Sequence, residues 1–473
     1  MISEKIVQLN GLLRHRGPDD EGYVCLNSRT NQYSAYSGDD SVESIKQRFS
    51  HISAANFKAF NIVLGHRRLS IIDISDNGHC PMSDESGQIW ITYNGEIYNY
   101  IELREELKSE GYSFKTQSDT EVIIKSYLKW GEECFNHFNG MWAMAIWDAK
   151  KNNLILSKDR FGVKPLYYLN SPDLFAFSSE IKPLLYIAPH GRKINGKKIP
   201  FFVLYGNRLS TEDTYLKNIN SLKPSHYLVY GNGSAILKKY YEIPYDTDNS
   251  KTENQLKEEL VELFTDSVKL RFRSDVPVGT CLSGGFDSSS IAAISNKLFG
   301  SGLNTFSAVW KQHEECDETV YIDKVNETFG CSENKIEPDP TEFETVFERL
   351  AYYQEIPTEG PGLYPHWFVM KKAKEKVKVL LDGQGGDEVF GGYLGRGAYL
   401  RSLIKDRKVK EFLKNMALFS SFLNKNGVHS FTGWLFPGFY DKIVRGHLSE
   451  RHKIFNKAFL STVKKEDLFF DVT

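Results

Sequence analysis

The sequence predicts two domains of different class: an α+β half built on antiparallel sheets, followed by an α/β half built on a parallel sheet. Three observations predict this. Over roughly the first 190 residues, short apolar strands follow one another with turn signals between them. Beyond a polar, turn-rich stretch near residue 250, strands and helices alternate, the order that builds a parallel sheet. A length of 473 residues accommodates two or three domains at about 150 residues each. The expected boundaries are 1–200 for the first domain, 201–252 for a connecting segment and 253–473 for the second.

The first half shows its strands in FNIVLGHRRLSIIDIS, GQIWITYNGEIYN, GMWAMAIWDAKKNNLILSKDR and LYYLNSPDLFAFSSE. WAMAIWD, a Lys-Lys-Asn-Asn turn and LILSKD together read as a hairpin. IELREELKSEGY sets Ile101, Leu103 and Leu107 among charges and reads as an amphipathic helix, as does TEVIIKSYLKWG. From about residue 195 the character changes, through GKKIP and KPSHYLVYGNGSAILKKYYEIP to YDTDNSKTENQ, a linker by composition. LKEELVELFTDSVKLRF is then a strong amphipathic helix. VPVGTCL, NTFSAVW and KVKVLLD read as strands, and DSSSIAAISNKLF and ETVYIDKVNETF as helices between them. The tail from Leu394 to Thr473 is helical in pattern.

Composition narrows the function classes. Lys+Arg is 59 and Asp+Glu 61, a formal charge of -2. That balance gives no support for a general nucleic-acid binder or a polybasic membrane protein. Mean hydropathy is -0.41, and no long uncharged apolar run is present, which argues against a transmembrane span. MISEKIVQLNGLLRHRG lacks the apolar core and small-residue cleavage site of a signal peptide. Cys25, Cys80, Cys134, Cys281, Cys316 and Cys331 are sparse and form no C-x-x-C, so they read as reduced thiols of a cytoplasmic protein. His313, Cys316 and Cys331 hint at a metal cluster but lack a fourth ligand at useful spacing.

VPVGTCLSGGFDSSS carries the most chemistry. A run of small and apolar residues ends in Ser283-Gly284-Gly285-Phe286-Asp287-Ser288, and a helix follows. The glycines permit a tight turn and close approach to a ligand. Backbone N–H groups and the helix N-terminus then face an anion, Ser283 and Ser288 add hydroxyl donors, and Asp287 suits an Mg²⁺ that bridges phosphates. The plain alternative is a helix cap after a glycine turn. KVKVLLDGQGGDEVFGGY is a second strand ending in a glycine-rich acidic loop, Asp382 to Glu388. In open parallel sheets ligands sit beyond the carboxyl ends of strands, where Asp287 and Asp387 become partners for one magnesium. The plain alternative there is that Asp387 and Glu388 cap the next helix. Two rival motifs fail. GRKINGKK is one residue short of a Walker loop, with Lys198 in place of its hydroxyl residue, and GQGGDE has Glu388 where a dinucleotide fingerprint requires its third glycine.

SGGFDSS resembles the pyrophosphate loop of ATP pyrophosphatases that adenylate a substrate, and LLDGQGGDEVFGGY is similar to the second ATP-site motif of glutamine-dependent asparagine synthetases. RHRGPDDEG, HRRLSIID, NGEIYNY, SDTEV, DRFGVKPLYY and FSSEIKPLL resemble the glutaminase domain of the same family, in family order from Leu12 to Tyr393. The resemblance implies an Ntn-hydrolase-like αββα sandwich that releases ammonia from glutamine. It implies a second domain that activates a carboxylate, aspartate in the parent family, as an acyl-adenylate that ammonia attacks after passing through a tunnel. It places glutamine on Arg68, Leu69, Ser70, Ile71, Ile72, Asn94, Gly95, Glu96 and Asp119, with Asn94 and Gly95 as the oxyanion hole. ATP falls on Cys281, Ser283, Gly284, Gly285, Asp287, Ser288, Ala308, Asp382 and Gly383, the adenylate and ammonia on Gln384, and Mg²⁺ on Asp287 and Asp387. For Asn94-Gly95 the plain alternative is a strand-to-helix turn, and for Cys281 and Ala308 it is simple burial. The partners implied are glutamine, aspartate and ATP, with a homodimer left open.

Three departures qualify the resemblance. The family nucleophile is a cysteine at the mature N-terminus, whereas Met1 is followed here by Ile2 and the opening strand is missing. The expectation is a late start, because Arg68, Asn94, Glu96 and Asp119 are retained. The alternative is loss of glutaminase activity, as in β-lactam synthetase relatives. The chain also ends at DLFFDVT without the family's "PFLD" motif and nearby basic residue, so a missing C-terminus is expected. Finally, the best-known members have Ser and Glu where this chain has Asp382 and Gln384, and Gln384 cannot act as a base. The leading expectation is thus a glutamine-hydrolysing asparagine synthetase. A ligase for another carboxylate and a catalytically silent member of the family are the alternatives.

Overall fold

The structure is a computed structural model that describes residues 5–188, 192–199, 202, 212–244, 250–311, 313, 315–357, 360, 362–390 and 395–420. Within these residues the first half contains α1 (Ile6–Gly11), β1 (Asp20–Leu26), β2 (Tyr33–Tyr36), α2 (Glu43–Arg48), β3 (Ile62–Arg68), β4 (Met82–Ser83), β5 (Ile89–Ile97), α3 (Tyr100–Ser109), α4 (Asp119–Trp130), α5 (Cys134–His137), β6 (Gly140–Asp148), β7 (Asn153–Lys158), β8 (Tyr167–Ser171), β9 (Leu174–Ser178), α6 (Ile181–Ile187), β10 (Ile219–Ser221), β11 (His226–Gly231) and β12 (Ser234–Lys239). The second contains α7 (Glu253–Arg271), β13 (Val278–Cys281), α8 (Phe286–Phe299), β14 (Asn304–Ala308), α9 (Thr319–Phe329), β15 (Ser332–Ile336), α10 (Phe343–Gln354), α11 (Leu363–Ala373), β16 (Val379–Leu381), α12 (Gly386–Phe390), α13 (Gly395–Lys405) and α14 (Val409–Ser420).

The first half is a four-layer sandwich whose middle is fixed by period-two burial. Along β6, Trp142, Met144 and Ile146 point to one core, where Leu103, Leu107, Val122, Ile123 and Phe135 of α3, α4 and α5 cover them. The alternate residues Ala143, Ala145 and Trp147 point to a second core with Val24, Leu26, Leu64 and Tyr168 of the facing strands. A strand buried on both faces belongs between two layers. The six-stranded sheet runs β12-β11-β7-β6-β5-β4, and all its pairs are antiparallel. Against it lie two three-stranded sheets, β2-β1-β3 and β10-β8-β9. Ile181 and Leu184 of α6 close the outer layer over Leu169 and Ile219. The stretch expected as a connecting segment thus contains β11 and β12, which extend the six-stranded sheet through pairing of β11 with β7.

In the second half the four strands β15-β14-β13-β16 are all parallel. Phe264, Val268, Ile291 and Ile294 of α7 and α8 cover one face, and Val369 and Ala373 of α11 cover the other, against Phe306. Helix α7 starts at Glu253, inside the expected linker, because Thr252 and Gln255 form a capping box: Thr252 N donates to Gln255 Oε1 at 2.9 Å and Gln255 N to Thr252 Oγ1 at 3.4 Å. Residues 245–249 of that linker, Gly391–Tyr393 of the second glycine-rich motif and the tail beyond residue 420 lie outside the described residues.

Two sets of contacts join the halves. In one, Asp73 N donates to Asp275 Oδ2 at 2.7 Å, Asp275 N to Ile71 O at 3.0 Å, and Arg273 makes a two-pronged pair with Glu102 at 2.5 Å. In the other, the Glu355 carboxylate accepts from the free N–H groups of Ile181 and Lys182 at the start of α6, both at 2.6 Å, and pairs with Lys182 Nζ at 3.0 Å. This carboxylate does the work of a helix cap from the other domain. Removing it with Glu355→Ala is expected to lower stability by about 2–3 kcal/mol, with Glu355→Gln losing less. Urea unfolding midpoints check this, and an unchanged midpoint for Glu355→Ala contradicts it.

Candidate functional site

Two sites follow from these elements. The first is a cavity of about 1670 Å³ in the sandwich. Arg68, Leu69, Ile71, Ile72, Asn94, Gly95, Glu96 and Asp119 all line it, whereas Ser70 does not; Ser70 is buried, with its N–H on Asp19 Oδ2 at 2.8 Å. The edge strands β3 and β9 of the two small sheets line this cavity along their whole lengths, and Met370 of α11 lines it from the second domain.

Its polar groups are arranged around buried carboxylates. Asp119 opens α4, where its Oδ2 accepts from Ile97 N and from the Tyr93 hydroxyl, both at 3.0 Å. Burial pushes the Asp119 carboxyl up, and those donors oppose the rise. Burial, reinforced by the charge of Asp119, raises the Glu96 carboxyl to about 7, with Lys164 acting against it. Glu96 Oε1 is buried with no hydrogen-bond partner. An unpaired acceptor beside a second carboxylate is what an ammonium group would relieve. The Arg68 guanidinium donates to Ser75 O at 2.7 Å and to Asp73 O, so its remaining N–H groups are those free for a carboxylate. Asn94 Nδ2 donates to Ser179 Oγ at 3.3 Å. Gly95 abuts Met141 O so closely that a Cβ would collide with it. Cys80 also lines the cavity, but burial pushes its thiol up to about 12, far from a nucleophilic thiolate.

The second site lies at the carboxyl ends of β13, β14 and β16. Because Thr280 pairs with Leu381, the loops that leave these strands emerge side by side. Gly284, at φ +77°, turns against α9, where a Cβ would stand 2.7 Å from Tyr321 Cβ. The Ser283 and Ser288 hydroxyls are 3.0 Å apart, and Ser283 Oγ accepts from Gly285 N at 3.3 Å. Helix α8 begins with no side-chain cap on its first N–H groups. Across from it, Asp287 packs on the second loop. A Cβ at Gly386 would collide with Asp287 Oδ2, and one at Gly383 would lie 3.1 Å from Ser288 N. The loop carrying Gln384 is held by Gln384 N donating to Asp382 Oδ1 at 3.2 Å. Gln384 itself is exposed, Asp387 sits in the first turn of α12, and Ala308 ends the neighbouring strand β14. Asp382 is held below the usual carboxylate range by its contact with His366, a residue the sequence offered no reason to single out.

Comparison with known proteins gives these sites a context. Residues 28–241 match a family model described as glutamine amidotransferase domain, and residues 259–452 one described as asparagine synthase. A Methanocaldococcus jannaschii protein bearing the provisional name asparagine synthetase [glutamine-hydrolyzing] 2 is 36% identical over 434 residues, covering 88% of this chain and 77% of its own length. The chain belongs to the glutamine-hydrolysing asparagine synthetase family. Asparagine synthetases [glutamine-hydrolyzing] 1 and 3 of Bacillus subtilis are 34% and 31% identical, over 82% and 70% of this chain. It spans 56% of the length of each of those two relatives. The family is one of ATP-dependent ligases, and both of its domains are present here. No helix among the described residues is long and apolar enough to cross a membrane.

The buried Glu96 should leave a mark on stability. Its folded-state pKa of about 7 lies above the ordinary 4.5, so folding favours its protonated form. Its stabilising contribution is full below about pH 4.5 and is lost as pH rises toward 7. Glu96→Gln carries no such loss and is expected to be the more stable protein at pH 8, by on the order of 3 kcal/mol, with a flatter profile between pH 4.5 and 7. Parallel denaturation curves from pH 4.5 to 8 measure the difference, and parallel wild-type and variant profiles contradict it.

Proposed function

We propose that this chain uses ATP to activate the carboxylate of aspartate as an adenylate, with loss of pyrophosphate, and amidates it with ammonia drawn from glutamine. The observation that carries the reading is the contact of Asp287 with the Gly383–Gly386 turn, which unites two glycine-rich acidic loops at adjacent strand ends. The triphosphate lies between them, on the N–H groups of residues 283–288 and the start of α8. The Asp287 and Asp387 carboxylates accept no hydrogen bond among the described residues, and hard carboxylate oxygens of that kind suit Mg²⁺. An Mg²⁺ held there would neutralise charge on the phosphates, while Ser283, Ser288 and the loop amides orient them. Adenosine rests on Cys281 and Ala308.

In the sandwich, glutamine binds with its ammonium on Glu96 and Asp119 and its carboxylate on Arg68. Asn94 and the Gly95 N–H face the carbonyl oxygen as charge develops there. The nucleophile is proposed to be a cysteine brought in on an extended segment seated between the β3 and β9 edges, because Cys80, the one cysteine of the six that lines the cavity, is held protonated. Met370 of α11 among the lining residues supports passage of ammonia toward the second domain. A cytoplasmic location is supported by six free thiols.

A second acceptor is favoured by one feature. Gln384 has no acid or base function in a loop where the resemblance leads one to expect Glu, which fits a ligase whose acceptor is a carboxylate other than aspartate. Pyrophosphate release under ATP, Mg²⁺ and ammonia decides between them: dependence on aspartate supports the first reading, dependence on another acid the second, and no release with any acid refutes both. Asp287→Ala is expected to lower pyrophosphate release about a hundredfold or more, and an unchanged rate removes Asp287 from the metal.

A further inference from the structure

The sequence drew attention to His313, Cys316 and Cys331 as a metal cluster, but the fold does not bring them together; among the described residues the one grouping with metal-ligand geometry is Cys281, His366 and Asp382. Its three donor atoms all lie within 4.8 Å of one another, and His366 Nε2 stands 3.7 Å from Asp382 Oδ2. Tetrahedral zinc at bond lengths of about 2.0–2.3 Å separates its ligands by about 3.3–3.8 Å. The grouping is thus within a side-chain adjustment of closing on an ion.

The fold supplies the ligands from a strand end, the first residue beyond a neighbouring strand, and a helix. Cys281 is the last residue of β13, and Asp382 is the first beyond β16, one step past the pair Thr280–Leu381. Parallel register therefore sets thiol and carboxylate next to each other. His366 lies on α11 one turn before Val369 and Met370, on the face that packs against Phe306 and Cys281. Three unlike donors meet there: sulfur, imidazole nitrogen and carboxylate oxygen.

We propose that Cys281, His366 and Asp382 form a site for one thiophilic divalent cation of the Zn²⁺ type, its fourth position open to water. Such a donor set separates this site chemically from the all-oxygen pair Asp287 and Asp387, because thiolate and imidazole select Zn²⁺ over Mg²⁺. Cys281 and Asp382 also belong to the proposed nucleotide loops. Given that reading, an ion bound here occupies the seat of the adenosine, and Zn²⁺ acts as an inhibitor competitive with ATP.

Cobalt titration of the full chain, without nucleotide, tests the site on its own. Co²⁺ is expected to bind in a 1:1 complex with a sulfur-to-metal charge-transfer band. Cys281→Ser abolishes the band, His366→Ala weakens binding at least tenfold, and Cys316→Ser, which alters an exposed thiol, changes nothing. Far-UV circular dichroism confirms that each variant is folded. Absence of the band, or its survival in Cys281→Ser, overturns the proposal. Displacement of a fluorescent ATP analogue by Zn²⁺, lost in Cys281→Ser, supports the competition. Metal binding that leaves the analogue in place overturns the competition while the site stands, and failure of the analogue to bind at all, with the cobalt band intact, tells against the nucleotide reading alone.

Discussion

Parallel pairing of β13 with β16 is the constraint on which the second domain's chemistry depends. Neither strand is long: β13 runs Val278–Cys281 and β16 Val379–Leu381. Yet the register Val278–Val379 and Thr280–Leu381 dictates that a loop starting at Ser283 and one starting at Asp382 leave the sheet side by side, about 4.8 Å apart at their roots. Residues a hundred positions apart in sequence thereby meet at one end of the sheet. An antiparallel arrangement would send them to opposite ends of the sheet. The glycines are the second half of the constraint. A Cβ at Gly386 would collide with the Asp287 carboxylate and one at Gly383 would press on Ser288 N at 3.1 Å, so substitution at Gly386 would displace Asp287 from the second loop.

The first domain solves a different problem, that of holding carboxylates in an apolar sandwich. Asp119 is stabilised by the Ile97 amide and the Tyr93 hydroxyl. Glu96 has no such partner on Oε1 and responds by holding its proton more tightly. Burial pushes both carboxyls up, and the difference between them is that donors from β5 oppose the rise at Asp119 whereas none reaches Glu96 Oε1. An ammonium beside Glu96 would favour its ionised form.

Some of this was legible in the sequence and some was not, for physical reasons. The hairpin in GMWAMAIWDAKKNNLILSKDR was legible because two apolar runs, the first apolar on both faces, flank a polar turn. The glycine-acid loops were legible because tight turns and close backbone approach need small residues at fixed offsets. Helix α10 and helix α11 went unread, since their apolar residues serve a satellite cluster of Val346, Leu350, Tyr364 and Phe368 that only exists once the helices meet. Strands β11 and β12 were concealed in a stretch of mixed composition, because β12 is an exposed edge with little apolar patterning. His366 carries no local signal at all; its significance arises from the rotation of α11 over the end of β16. Glu355 likewise matters only because α6, 174 residues away, presents bare N–H groups to it.

The contacts between the domains tie the two sites to one piece of backbone. Asp275 accepts from Asp73 and donates to Ile71, and Asp73 in turn offers its carbonyl to Arg68. Three residues after Asp275 begins β13, which ends at Cys281 and the Ser283 turn. Four residues of strand span only about 13 Å, too short and too well paired to bend. The turn that follows Arg68 and the loop that carries Asp287 are therefore fixed to opposite ends of one stiff rod. Rigidity of this kind sets the distance and orientation between the sites; it does not by itself transmit a signal, which would need a second packing of the Ile71–Asp73 turn against Asp275. What the rod guarantees is that the Ile71–Asp73 turn, whose neighbours Arg68, Ile71 and Ile72 line the cavity, keeps a constant distance from the Ser283 turn at the far end of β13.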